Sequence, residues 1–145
     1  MGVDCPLQLA GTFYLYICIY QSMCNSLLLV CSLGGASTAL QVAREYVSVR
    51  KQFGRVLGSN QAVQFKIAEM ATDLIACRTL TRHAGKLLDQ GHPASRAYCA
   101  MAKKQTTERC FDVANTALQL HGGYGYLRDY PLGLCIRELE LSNMS

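Results

Sequence analysis

Between residues 61 and 90 the apolar positions advance in alternating steps of four and three: Val63, Ile67, Met70, Leu74, Cys77, Thr81, Ala84 and Leu88. This spacing places them on one face of a helix, a seam that packs against neighbouring helices at a shallow angle. A second stripe of Leu33, Ala36, Leu40, Ala43 and Val47 predicts an earlier helix over about 32–52. The two are separated by GRVLGSN (54–60), where Ser59 or Asn60 is placed to cap the second helix. Gly91 is suited to close that helix and Pro93 to open a third, which runs to His121 with Tyr98, Met101, Phe111, Ala114 and Leu118 facing inward. Gly122 ends it, and Asp129 and Pro131 read as the start of a short fourth helix containing LGLCIRELE. With no strand-like alternation between these segments, the expected fold class is all-α, an antiparallel helical bundle with short connections.

The N-terminal region has a different pattern. No charged residue occurs from Cys5 to Ala43, and FYLYICIY (13–20) and LLLVC (27–31) are strongly apolar. Gln21, Ser22, Asn25 and Ser26 interrupt the stretch, and no Lys or Arg precedes it as a signal peptide requires. Three readings of this lead stay open: a partly buried or adventitious apolar segment, a membrane or signal-like segment over about 7–33, or a core element. A membrane partner is the less favoured reading.

Composition narrows the remaining possibilities. A chain of 145 residues, half of them apolar, is the size of one globular domain. Its net charge of +4 is carried by Lys and Arg that all lie between Arg44 and Arg137, scattered at helical intervals as a solvated face rather than gathered into a nucleic-acid patch. The eight cysteines form no CxxC pair and no Cys/His cluster of ligand spacing, which predicts reduced thiols and no metal site.

Three places hold candidate chemistry. RKQFG (50–54) ends a helix with two cations, an amide and an aromatic. It fits either a cation complementing the helix dipole, with Phe53 stapled into the core, or an arginine forked onto a phosphate. QLHGGYGYLRDYP (119–131) lacks the GxGxxG order of a dinucleotide loop; by pattern it stops one helix and starts another, although its backbone N–H groups lie open to a ligand. His83 and His92 have no triad partners, and the pairs Glu69/Asp73 and Glu108/Asp112 look like solvated faces, so no catalytic residue is assigned.

Taken in order and at this spacing, ALQVAREYVSVRKQFG, GSNQAVQFKIAEMATDL and ALQLHGGYGYLRDYPL resemble the C-terminal helical domain of the flavin-dependent acyl-CoA dehydrogenases, most of all the isobutyryl-CoA (short branched-chain) members. The resemblance covers about 31–138, leaving 1–30 as an unmatched lead and 139–145 as a divergent tail. It implies FAD as cofactor, an acyl-CoA substrate and a mitochondrial matrix location, although no transit peptide is visible. As partners it implies a homo-oligomer, or a mixed oligomer with a full-length relative.

By the same resemblance Arg50, Gln52 and Phe53 meet the diphosphate side of FAD, and Asn60 and Gln61 fall at the next matching positions. Gln119, Leu120, His121, Gly122 and Gly123 match the segment lying along the adenosine part. The family's α-proton base belongs to a motif like EGT a little beyond Arg137 and Glu138, where this chain reads LELSNMS; its alternative location holds Met23, Cys24 and Asn25. Glu138 and Glu140 are only the nearest substitutes. The expectation is a partial enzyme, inactive alone, with a non-catalytic helical interaction module as the alternative.

Overall fold

The computed structural model describes residues 6–127 and 132–144, and the side chains of 28–125, 127 and 132–141. Four helices carry the fold: α1 (Pro6–Val49), α2 (Gln61–Asp89), α3 (Ser95–His121) and α4 (Leu132–Met144). The all-α bundle predicted from the stripes is what forms. α2 reverses on α1 and α3 reverses on α2, so α1 and α3 run parallel. Leu29 packs with Cys99 and Ala102 at one end, while Tyr46 lies on His121 at the other. α3 is the central rod and touches the other three helices.

The α2 stripe faces inward as expected, with Met70, Leu74, Cys77 and Ala84 buried. On α1 the buried positions among the described residues are Leu29, Ser32, Ala36, Ala39, Ala43 and Val47, and on α3 they include Ala102, Ala114 and Ala117. Helices lined with alanine approach closely, so the core between α1 and α3 is thin and dense. The predicted inward face of α3 is corrected in one respect: Met101 is 50% exposed, and the buried row runs through Ser95, Cys99, Ala102, Thr106, Cys110, Val113, Ala117 and His121. The buried threonines of α3 find partners. Thr106 Oγ1 lies 3.3 Å from Thr81 Oγ1 of α2, and Thr107 Oγ1 donates to the Lys103 carbonyl at 2.9 Å.

Helix boundaries also differ from the expectation. α1 starts at Pro6 and ends at Val49, because residues 50–56 fold into a hairpin that the pattern did not announce. Its two strands, β1 (Lys51–Gln52) and β2 (Arg55–Val56), pair antiparallel with Gln52 opposite Arg55. Phe53 and Gly54 form the tip at φ 53° and 78°, the left-handed pair that a tight two-residue hairpin needs. Phe53 is therefore not a staple into the core: it is 99% exposed. At the far end α3 starts at Ser95, two residues beyond Pro93, and Gly91 takes φ 63° after α2.

Of the candidate membrane segment, the side chains of 7–27 lie outside the described residues. Among the described residues no helix is long and apolar enough to cross a membrane. Asp129 and Pro131, expected to start α4, also lie outside them.

Asn60 caps α2, its Oδ1 accepting from the Ala62 N–H at 3.1 Å. Replacing it with alanine leaves that donor without its cap. An N-cap of this kind is worth about 1 kcal/mol, so Asn60→Ala should lower the thermal midpoint by roughly 2–4 °C, readable by circular dichroism at 222 nm.

Three thiols are held protonated by their surroundings. The hydrogen bond from Cys110 to Cys77, then burial, pushes the Cys110 thiol up from its ordinary 9.0. Burial alone does so for Cys99, and burial with the Glu138 charge does so for Cys135. Across the α2–α3 seam the same bond favours the Cys77 thiolate, so the pair keeps one proton well into the alkaline range. A raised folded-state value means stability is complete below the unfolded pKa and is lost as pH rises through the folded one. The lowered Cys77 thiol has the opposite sign and adds stability as pH rises from about 7, so the urea midpoint should fall only once pH passes about 9, where the unfolded thiols ionise and the three raised ones do not, and Cys110→Ala should lessen the fall.

Candidate functional site

Two segments that are seventy residues apart in sequence meet at the end of the bundle where α1 and α3 finish. Because those helices are parallel and packed together from Leu29 to Tyr46 of α1, the hairpin after α1 and the glycine loop after α3 emerge side by side. The contact between them is aromatic and cationic. The Arg50 guanidinium carbon sits 4.9 Å from the centre of the Tyr124 ring. Tyr124 is tilted at 49° against Tyr46, 6.3 Å away, and Tyr46 stacks on His121 at 4.2 Å and 24°.

His121 anchors this column. It is buried, and its Nδ1 lies 2.8 Å from the Ala117 carbonyl one helical turn back, an arrangement in which the ring N–H donates. The Tyr46 hydroxyl reaches the His121 carbonyl at 3.5 Å. A histidine stacked on Tyr46 and bonded at Nδ1 to the last turn of its own helix is a structural element of the loop.

The loop itself is shaped by its glycines. Gly122 ends α3 at φ 57°, ψ −133°, a conformation essentially restricted to glycine, and its N–H donates to the Gln119 carbonyl. The chain then makes a tight 3-10 turn over Gly122–Tyr126, in which Gly125 presses on Leu118: a Cβ there would lie 3.0 Å from the Leu118 carbonyl oxygen. Gly122 and Gly123 have no neighbouring atom within 4 Å of where a side chain would be, so their backbone faces open space.

On the hairpin, Gln52 completes the setting of Arg50. With its amide oxygen turned to the guanidinium, it accepts from Nη2 at 2.7 Å and from Nε at 3.3 Å. Beyond it Phe53 projects fully into solvent from a strained left-handed backbone. Such strain on a non-glycine residue costs on the order of 1–3 kcal/mol and concentrates at functional positions.

The predicted site residues thus fall into groups. Arg50 and Gln52 come together with the HGGYG loop, and Phe53 stands exposed at the hairpin tip. Gln119 is exposed on the last turn of α3, whereas Leu120 packs half-buried against the core. Asn60 and Gln61 begin α2, linked to Arg50 through the 3-10 turn Leu57–Ser59: the Leu57 N–H donates to the Arg50 carbonyl at 2.9 Å, and the Asn60 N–H to the Leu57 carbonyl at 3.0 Å. No ion pair or hydrogen bond among the described residues joins Asn60 or Gln61 to the glycine loop. Tyr46 and Tyr124 were not foreseen; the available signal was their spacing, Tyr46 one helical turn before Arg50 and Tyr124 three residues after His121.

A separate groove of about 910 Å³ runs between α1 and α2, lined by Leu40, Arg44, Val47, Val63 and Ile67 among others. It includes none of the predicted site residues.

Comparison with known proteins decides the family. Residues 26–144 match the acyl-CoA dehydrogenase C-terminal domain. This chain belongs to the acyl-CoA dehydrogenase family. Isobutyryl-CoA dehydrogenase, mitochondrial, of Dictyostelium discoideum is 50% identical over 111 residues, covering 77% of this chain and 27% of the relative. The Bos taurus protein of the same name is 44% identical over 108 residues, covering 74% and 26%. The chain therefore spans about a quarter of the length of these curated relatives. Among solved structures, butyryl-CoA dehydrogenase of Megasphaera elsdenii superposes with TM-score 0.78 at 32% identity, covering 81% of this chain and 30% of the other. An acyl-CoA dehydrogenase of Geobacillus kaustophilus gives TM-score 0.83 at 29% identity, covering 89% and 34%.

Proposed function

We propose that this chain supplies the C-terminal helical part of an FAD-dependent acyl-CoA dehydrogenase that introduces an α,β double bond into a short branched acyl-CoA. The observation that carries this reading is the convergence of Arg50 with the open glycine loop at one end of the bundle. The donor set fits a dinucleotide diphosphate. A guanidinium and the neighbouring Lys51 and Arg55 offer positive charge, Gly122 and Gly123 leave backbone within reach, and Phe53 offers an exposed ring for a flat heterocycle. No carboxylate ion-pairs with Arg50 among the described residues.

In this reading Arg50, with Gln52 fixing its plane, binds the diphosphate, and Phe53 contacts the cofactor. Asn60 and Gln61 extend the same surface, and Gln119, Leu120, His121, Gly122 and Gly123 follow the adenosine side. FAD, when bound, supplies the hydride acceptor for the α,β-dehydrogenation. No residue of this chain is assigned as the proton-abstracting base. The names of the Dictyostelium and bovine relatives support isobutyryl-CoA as substrate and a mitochondrial location.

Titration of the ¹⁵N-labelled chain with FAD tests the reading even where binding is weak. Amide shifts should centre on 50–54, 60–61 and 119–124. Shifts confined to other surfaces, or none up to millimolar FAD, would overturn it.

A second reading, a non-catalytic module that assembles with a full-length relative, is favoured by the α1–α2 groove, whose half-buried Leu40, Val63 and Ile67 offer apolar surface to a partner. Co-expression with isobutyryl-CoA dehydrogenase followed by size-exclusion chromatography should then give mixed oligomers; strictly separate peaks would refute it.

A further inference from the structure

Arginine is a long side chain with several rotatable bonds, and aiming its fork at a ligand costs conformational freedom unless something holds it beforehand. In this chain Arg50 is held from two directions. Gln52 takes two of the five guanidinium N–H donors edge-on, leaving the other three for a ligand. The Tyr124 ring covers the guanidinium at 4.9 Å, a distance at which the aromatic quadrupole attracts the cation. Neither contact neutralises the charge, as a carboxylate in the same place would.

Tyr124 is itself on a loop, 43% exposed, and would make a poor platform if it stood alone. It leans on Tyr46, which stacks on the buried His121 ring, and that ring is tied to the Ala117 carbonyl in the last turn of α3. Tyr46 also lies one turn before Arg50 on the helix that delivers it. The column thus ties the two ends of the site together through rings, which have few rotamers to lose.

We infer that Tyr124, seated on the Tyr46–His121 stack, is a positioning residue that holds the Arg50 guanidinium flat and pre-aimed for the diphosphate of the cofactor. This rests on the proposed FAD reading for its ligand, but the holding of Arg50 is a property of the unliganded chain and is measured there. The cation–π contact at a partly exposed site corresponds to about a two- to five-fold change in an equilibrium.

The test compares the full chain with Tyr124→Leu and Tyr124→Phe. Without nucleotide, phenylglyoxal modification of Arg50 is followed by peptide mass spectrometry, with the exposed Arg55 as internal reference. Tyr124→Leu should raise the Arg50 rate about two- to five-fold relative to Arg55, and Tyr124→Phe should leave it at the wild-type value. If the leucine variant proves misfolded by circular dichroism, Tyr124→Gln carries the same comparison. An Arg50 rate unchanged in the non-aromatic variant, or raised equally by phenylalanine, overturns the inference. FAD titration by NMR then separates the two ideas. A weakened FAD affinity in Tyr124→Leu with rescue in Tyr124→Phe supports positioning for the ligand. An affinity insensitive to Arg50→Ala instead removes the diphosphate role of Arg50, and with it the ligand half of the inference, whatever the modification rates show.

Discussion

Arg50→Ala is expected to weaken FAD binding by roughly ten- to one-hundred-fold, the equivalent of losing hydrogen bonds to a charged group worth about 1.5–3 kcal/mol. The loss should come with little change in thermal midpoint, since Arg50 is at the edge of the bundle and half exposed. Arg50→Lys should recover only part of the affinity, because an ammonium keeps the charge but not the fork that meets two oxygens at once. Raising the salt concentration should narrow the gap between wild type and Arg50→Ala, as the lost interaction is partly screened. The NMR titration gives each dissociation constant. An affinity unchanged in Arg50→Ala would leave the convergence at the bundle end without a ligand role.

Leu132→Ala should produce the largest loss of stability. Leu132 opens α4 and is fully buried in the main core cluster with Leu139, Val113 and the alanines of α1 and α3. Truncating a buried leucine removes its transfer free energy and leaves a cavity, typically about 2–5 kcal/mol. In a domain of this size that corresponds to a fall in midpoint on the order of 10 °C. Because α4 packs mainly on α1, α3 and the glycine turn among the described residues, its amides should lose hydrogen-exchange protection before those of α2. A midpoint within about 2 °C of wild type would mean that α4 contributes little to the core.

The reasons some of this architecture is legible in the amino-acid sequence, and some not, are physical. α2 is plain because its inward face is marked at regular steps, mostly by large apolar residues such as Val63, Ile67, Met70, Leu74 and Leu88, and a capping asparagine marks its start. α3 misleads because its buried row includes Ser95, Cys99, Thr106 and Ala117, small side chains that mark an inward face less plainly than the larger Tyr98 and Met101. The result is a stripe read about one residue out of place. The hairpin is hidden for another reason: its tip is Phe-Gly where the usual signal is Asn-Gly, so only the folded context holds Phe53 at positive φ. The start of α1 offers no periodicity, since an uncharged segment has no polar face to contrast with.

At the site, motif resemblance singled out Arg50 and the glycine loop, and pattern alone did not favour either. What neither supplied was their proximity, which depends on α1 and α3 running parallel over the same length. The aromatic column was invisible for the same reason. Tyr46 and Tyr124 are ordinary half-exposed tyrosines until two helix ends bring them to one histidine.

Alanine's role along α1 and α3 reaches beyond packing density. An alanine side chain has no rotamer to freeze and none to switch, so a seam built from Ala36, Ala39, Ala43, Ala114 and Ala117 cannot adapt by side-chain rearrangement. Any slip of one helix along the other would have to move the backbones apart as rigid bodies. The cationic hairpin and the glycine loop therefore ride on a single stiff beam, and the geometry between them is set when the core closes, before any ligand arrives.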